Sequence, residues 1–188
     1  MLFSILLFSC IFTHGYSITE TVSYLDISKY VGHWYQMYGA PFDYTFQGYG
    51  KCITADYGVL SAGNVSVLNS QISKKNELQT IGGYAYYEYK NQPGKLTVHL
   101  DGTPKDFPYW VVKLGEVVDG QYQYSVITTP SEFAMWVLAR DIDTFSKKYD
   151  DEVRQYLDLN NFTYVPIQQT RCLEDFMVAS SFCHPWGI

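Results

Sequence analysis

Histidines, cysteines and a dense set of tyrosines are the side chains of this 188-residue sequence that could carry chemistry. His14, His33, His99 and His184 never approach metal-ligand spacing. No G-x-S-x-G elbow, CxxC pair, HExxH helix or phosphate loop occurs either, so no metal, no cofactor and no enzymatic centre are expected. What remains is binding by burial. Aromatic residues make up 18% of the chain, with 18 tyrosines, and so much aromatic surface needs a thick core or an apolar ligand to cover it. One stretch offers a wall for such a ligand. Tyr122, Tyr124 and Val126 alternate with Gln121, Gln123 and Ser125, which predicts an inward face that is aromatic and uncharged. That suits a lipophilic molecule with one polar end.

Several elements must position this wall. In DISKYVGHWYQMY, Asp26 to Tyr38, a helix-compatible turn over Ile27–Val31 leads through Gly32 into a strand with Trp34, Gln36 and Tyr38 on one face. Gly32 lets the backbone turn tightly, so that Trp34 can lie across whatever the turn closes. Strand-like runs follow at short intervals, separated by turn sequences at 61–64, 74–77, 91–94, 102–104, 119–120 and 129–131. Eight strands joined by short hairpins predict an all-β, up-and-down barrel, with interior room for one small ligand. An immunoglobulin sandwich is excluded: Thr170 stands where that fold wants a tyrosine, and Cys52 and Cys172 lie too far apart. Asp141 to Leu159 is the one helix, with Asp143 as N-cap and Phe145, Tyr149, Val153, Tyr156 and Leu157 forming the stripe that packs outside the barrel.

Gly32-His-Trp34, Lys51-Cys-Ile-Thr-Ala-Asp-Tyr57, Val65 to Asn69, Lys95 to Val98, Pro108 to Val111, Trp136-Val-Leu-Ala-Arg140 and Gln169-Thr-Arg-Cys172 occur in this fixed order. The order resembles the lipocalin family, in the branch that holds apolipoprotein D and the bacterial lipocalins, over residues 26–172. The family's Thr-Asp-Tyr turn reads Gly120-Gln121-Tyr122 here, keeping only the tyrosine. The resemblance implies a carrier of a small hydrophobic ligand such as a fatty acid, retinoid or steroid. It implies that Arg140 packs over Trp34 at the closed end, which puts Leu138 and Trp136 on the inward face. The expected binding set is Tyr38, Phe42, Tyr57, Val67, Val98, Tyr122, Tyr124, Trp136 and Leu138. Two rival readings are an isomerase-type lipocalin, disfavoured because no cysteine falls on an inward strand position, and a filled-barrel interaction protein. Haem binding would need a histidine inside, whereas His99 alternates with the inward set Leu96, Val98 and Leu100.

Compartment and partners follow from composition. The net charge of -6 and the lack of a basic run longer than two residues argue against nucleic acid. Residues 1–17 have the length of a secretory leader and are too short to span a bilayer, so residues 18–188 are expected as one secreted domain with a tail at 173–188. Without the leader, Cys52, Cys172 and Cys183 remain: one pair and one spare, with three pairings open. The family resemblance carries the bridge Cys52–Cys172, leaving Cys183 as an unused thiol or a bond to a partner. The aromatic loop 41–50, with Phe42, Tyr44, Phe46 and Tyr49, reads as a lid or a lip facing a membrane surface. Asn64 and Asn161 begin glycosylation sequons.

Overall fold

A strand that is apolar at every second position can bury only one face, and eight such strands here bury it together by curling into a closed barrel. The computed structural model describes residues 19–41, 50–60, 64–87, 89, 91–169 and 172. The expected leader at 1–17, the aromatic loop from Phe42 to Tyr49, Cys183 and the tail lie outside the described residues. In chain order the elements are α1 (Ile27–Tyr30), β1 (Gly32–Gly39), β2 (Lys51–Val59), β3 (Val65–Ile72), β4 (Leu78–Tyr87), β5 (Lys95–Leu100) and β6 (Phe107–Leu114). A small ribbon, β7 (Val117–Val118) with β8 (Gln121–Tyr122), precedes β9 (Tyr124–Thr128) and β10 (Met135–Ala139). Antiparallel pairing runs β1-β2-β3-β4-β5-β6-β9-β10 and returns from β10 to β1, where Gln36 faces Leu138. This is the expected eight-stranded up-and-down barrel.

Two irregularities turn side chains away from where simple alternation puts them. In β1 the register with β10 slips between Gln36 and Tyr38, so the extra residue Met37 moves Tyr38 from the inner to the outer face. Gln123 interrupts the chain between β8 and β9 and shifts the parity by one. Opposed residues of an antiparallel pair share a face, so inward Leu138 and Trp136 fix Ser125 and Ile127 as inward. Tyr124 and Val126 therefore point outward. The inward assignment of Tyr38, Tyr124 and Val126 is corrected on these grounds.

The helix occupies the outer face. It runs as α2 (Ile142–Thr144), a π-helical turn over Phe145–Tyr149, and α3 (Asp150–Leu159). Its N-cap is Asp141 rather than Asp143: the Asp141 carboxylate accepts from Thr144 N at 2.7 Å, and Asp143 lies in the first turn. Phe145, Tyr149, Val153 and Leu157 are buried as expected, while Tyr156 is half-buried. Phenols then stitch this interface. Tyr38 donates to Asp150 at 2.5 Å, Tyr124 to Glu152 at 2.8 Å, and Tyr149 to Glu116 at 2.7 Å. The Lys113 ammonium, 2.8 Å away, and then the Tyr124 phenol hold the Glu152 carboxyl below its usual range.

After the helix, β11 (Val165–Pro166) adds to β1 where β1 has parted from β2. Gln169 bridges that parting, donating from Nε2 to Gln36 O at 2.7 Å and to Ile53 O at 2.8 Å. Cys172 then reaches Cys52 in a disulfide with Cα atoms 5.3 Å apart.

Candidate ligand-binding site

The closed end is built from the Gly32 turn. Gly32 has φ +105°, and a Cβ there would come within 3.1 Å of the Arg140 guanidinium and 3.2 Å of the Gln121 amide, so the backbone geometry and the space both call for glycine. α1 starts at Asp26, whose carboxylate caps Ser28 N at 3.0 Å, and ends with carbonyls that the helix itself cannot satisfy. Arg140 satisfies them. Its Nη2 donates to the carbonyls of Lys29, Tyr30 and Val31, its Nη1 to His33 O at 2.8 Å, and its Nε to Tyr122 O at 3.2 Å. The guanidinium carbon sits 3.6 Å above the centre of the Trp34 ring, and Trp34 is wholly buried with Nε1 donating to Tyr30 O at 2.8 Å. Burial pulls the Arg140 pKa down to about 10, which leaves it charged at neutral pH.

Above this floor is a cavity of about 570 Å³. Ile53, Ala55 and Tyr57 of β2, Val65, Val67 and Asn69 of β3, Ala85 of β4, and Leu96, Val98 and Leu100 of β5 form one wall. Phe107, Pro108 and Tyr109 of β6 and Trp136 and Leu138 of β10 form the other, and Thr129, Pro130, Ser131, Phe133 and Ala134 rim it. The alanines at 55 and 85 leave room that larger inward residues would fill. Among the described residues, no Asp, Glu, Lys, Arg or His lines the cavity; the polar groups there are neutral amides and hydroxyls. The volume suits one lipid-sized molecule.

At the base, hydroxyls form a chain. Tyr30 Oη lies 2.9 Å from Ser125 Oγ and 2.8 Å from Tyr109 Oη, which in turn lies 3.3 Å from Tyr57 Oη. The Tyr30 and Tyr57 rings stack at 6.0 Å with an interplanar angle of 9°. Burial, the largest cause, pushes Tyr57 up to about 12 and raises Tyr30 and Tyr109 further, so all three stay neutral phenols. Trp136 stacks on Tyr109 at 6.4 Å and closes the aromatic side of the pocket.

Of the expected binding set, Tyr57, Val67, Val98, Trp136 and Leu138 line the cavity together. Tyr122 is buried in the floor, its hydroxyl accepting from Asp26 N at 3.2 Å. Tyr38 and Tyr124 face the helix, and Phe42 lies outside the described residues. Tyr30, Tyr109 and Ser125 are additions. Tyr109 was within reach of the sequence, since it alternates with Phe107 and Val111. Tyr30 ends a four-residue helix, where no periodicity marks a face. His99 faces outward, its Nδ1 2.8 Å from Asp106 Oδ1. Asn161 is exposed in the turn after α3 with φ +57°, and Asn64 is half-buried at the start of β3.

Known proteins carry the same pattern. The Lipocalin-like domain matches residues 25–164. Apolipoprotein D of Rattus norvegicus is 31% identical over 87 residues, covering 46% of this chain and 44% of that protein. The Lazarillo protein of Schistocerca americana is 26% identical over 161 residues, covering 80% and 74% respectively. The chain thus aligns with less than half the length of the rat protein. The crystal structure of the cockroach allergen Per a 4 superposes with a TM-score of 0.61 at 19% identity, over 82% of this chain and 95% of that one, a likeness of fold.

Proposed function

The chain belongs to the lipocalin family, and from that premise we propose that it is a secreted, non-catalytic carrier that holds a small lipophilic ligand inside its barrel. The observation that carries this reading is the cavity of about 570 Å³, with no charged side chain among its described lining residues and walled by Tyr57, Val67, Val98, Trp136 and Leu138. Burying roughly 300 Å² of apolar ligand surface at about 25 cal/mol per Å² offers around 7 kcal/mol before ordering costs, which permits micromolar binding at best, with loose selectivity. The 1–17 leader and the Cys52–Cys172 disulfide support an oxidising, extracellular destination. Asn161, exposed in a turn, is the better placed of the two sequons for glycosylation; Asn64 is the other. The 41–50 loop is proposed as the entrance lip that touches membrane, and Cys183 as an attachment point for a partner.

Because Trp136 lines the cavity while Trp34 is sealed beneath it, ligand should quench chiefly the emission that Trp136→Phe removes. Titrating retinoids, steroids and fatty acids into both proteins is expected to give a saturable quench in the wild type, reduced to a small residue in the variant. The ligand recovered afterwards should be chemically unchanged. Turnover of the ligand would favour the isomerase reading, and a flat titration in both proteins would rule out the carrier.

A further inference from the structure

Hydroxyl groups in an apolar pocket stay hydrogen-bonded, and how many bonds they leave unused decides what else can be held there. Ser125, Tyr30, Tyr109 and Tyr57 supply four O–H protons, and the three contacts among them use three. One donor and several lone pairs are left over. Ser125 is fully buried at one end of the chain, so a new bond forms on the cavity side, which Tyr30, Tyr109 and Tyr57 line and where Tyr57 is the terminal hydroxyl. The Tyr57–Tyr109 contact is also the weakest link: 3.3 Å is long for one hydroxyl donating to another, compared with 2.8 Å between Tyr30 and Tyr109. An oxygen atom brought beside it can take the spare proton and shorten the chain of bonds.

Charge narrows the choice of that oxygen. Arg140 lies beneath the floor with its donors committed to five backbone carbonyls and its face on Trp34. It does not line the cavity, and among the described residues neither does any carboxylate. An ionised carboxylate or ammonium group buried there would lose its hydration and meet no counter-ion. A neutral hydroxyl or carbonyl would lose little and gain the hydroxyl chain.

Resting on the carrier reading above, we propose that the Tyr57–Tyr109 hydroxyl pair is the polar anchor of the site and selects neutral alcohols and carbonyl compounds over carboxylates. The ligand's oxygen bridges or replaces the long Tyr57–Tyr109 contact, and its apolar body lies along Val67, Val98 and Trp136.

Three probes with one fluorescent body and different ends test this: pyrenebutanol, butylpyrene and pyrenebutyrate. Energy transfer from tryptophan reads their binding at about pH 8, where the acid is fully ionised. Pyrenebutanol is expected to bind about fivefold tighter than butylpyrene, the worth of one neutral hydrogen bond, and at least about tenfold tighter than pyrenebutyrate. Tyr57→Phe and, separately, Tyr109→Phe should erase the alcohol's margin over the hydrocarbon while butylpyrene affinity stays within about twofold, which also certifies that each variant is folded. Equal affinity for alcohol and hydrocarbon, tighter binding of the butyrate, or an undiminished margin in both variants would overturn the anchor and leave the carrier standing. Failure of all three probes to saturate the wild type would defeat the carrier and the anchor together.

Discussion

Replacing Arg140 by lysine should lower the thermal unfolding midpoint by roughly 5–15 °C while leaving the cavity able to take up ligand. Arg140 spans five carbonyls on three separate segments and lies flat on Trp34 at 3.6 Å. A lysine ammonium has three donors on a flexible stem and no plane to stack, so it cannot reproduce the fork. Losing the stack and at least two charge-assisted bonds amounts to about 2–4 kcal/mol. The Lys29 carbonyl would also lose its partner at the end of α1, with Tyr30 O left to the Trp34 indole and Val31 O to the long Gln121 contact. Ligand uptake should persist, because Arg140 does not line the cavity. A variant that melts with the wild type in differential scanning calorimetry would show that the floor does not depend on this side chain.

The second large effect concerns the covalent clasp. Changing Cys52 and Cys172 together to serine should shift the denaturant midpoint strongly downward, since the bridge closes a separation of 120 residues and loop-closure entropy values it at up to about 5 kcal/mol. The loss is local as well as entropic. Cys52 N–H donates to Gln168 O of this same segment at 2.7 Å, and Gln169 ties Gln36 to Ile53 across the gap between β1 and β2. Untethered, the 165–172 segment should release first, and amide exchange at residue 52 and Ile167, whose N–H groups bond across this corner, should accelerate more than at β4 or β5. An unchanged midpoint with unchanged exchange in this corner would contradict the assignment.

How far the sequence reaches depends on whether alternation is interrupted. Gly32, Trp34 and Arg140 were readable as one closed end because a fixed motif order places them, and β10 was readable because Trp136 and Leu138 keep step with Arg140. The eight-strand barrel followed from turn spacing alone. Tyr38 was misplaced because a single inserted residue at Met37 flips everything after it, and Tyr124 because Gln123 does the same between β8 and β9. Neither slip has a glycine or proline to announce it. The hydroxyl chain was invisible for another reason: Tyr30, Tyr57, Tyr109 and Ser125 come from a helix and three strands, and only the closed barrel brings them together. The N-cap fell two residues early because Asp141 and Asp143 are equally suited by type, and the backbone chose Asp141, whose extended conformation aims its carboxylate at Thr144 N.

The central claim, that the barrel interior is a ligand site, is tested most directly by equilibrating purified protein with a total lipid extract, re-isolating it, and identifying by mass spectrometry what organic solvent releases. Ala85→Trp serves as the comparison, because Ala85 lines the cavity and an indole there would occupy it. The account predicts a small lipophilic molecule in near one-to-one ratio with the wild type and almost none with an Ala85→Trp protein that unfolds at a comparable temperature. Equal amounts released from both proteins, or nothing from either, would contradict it.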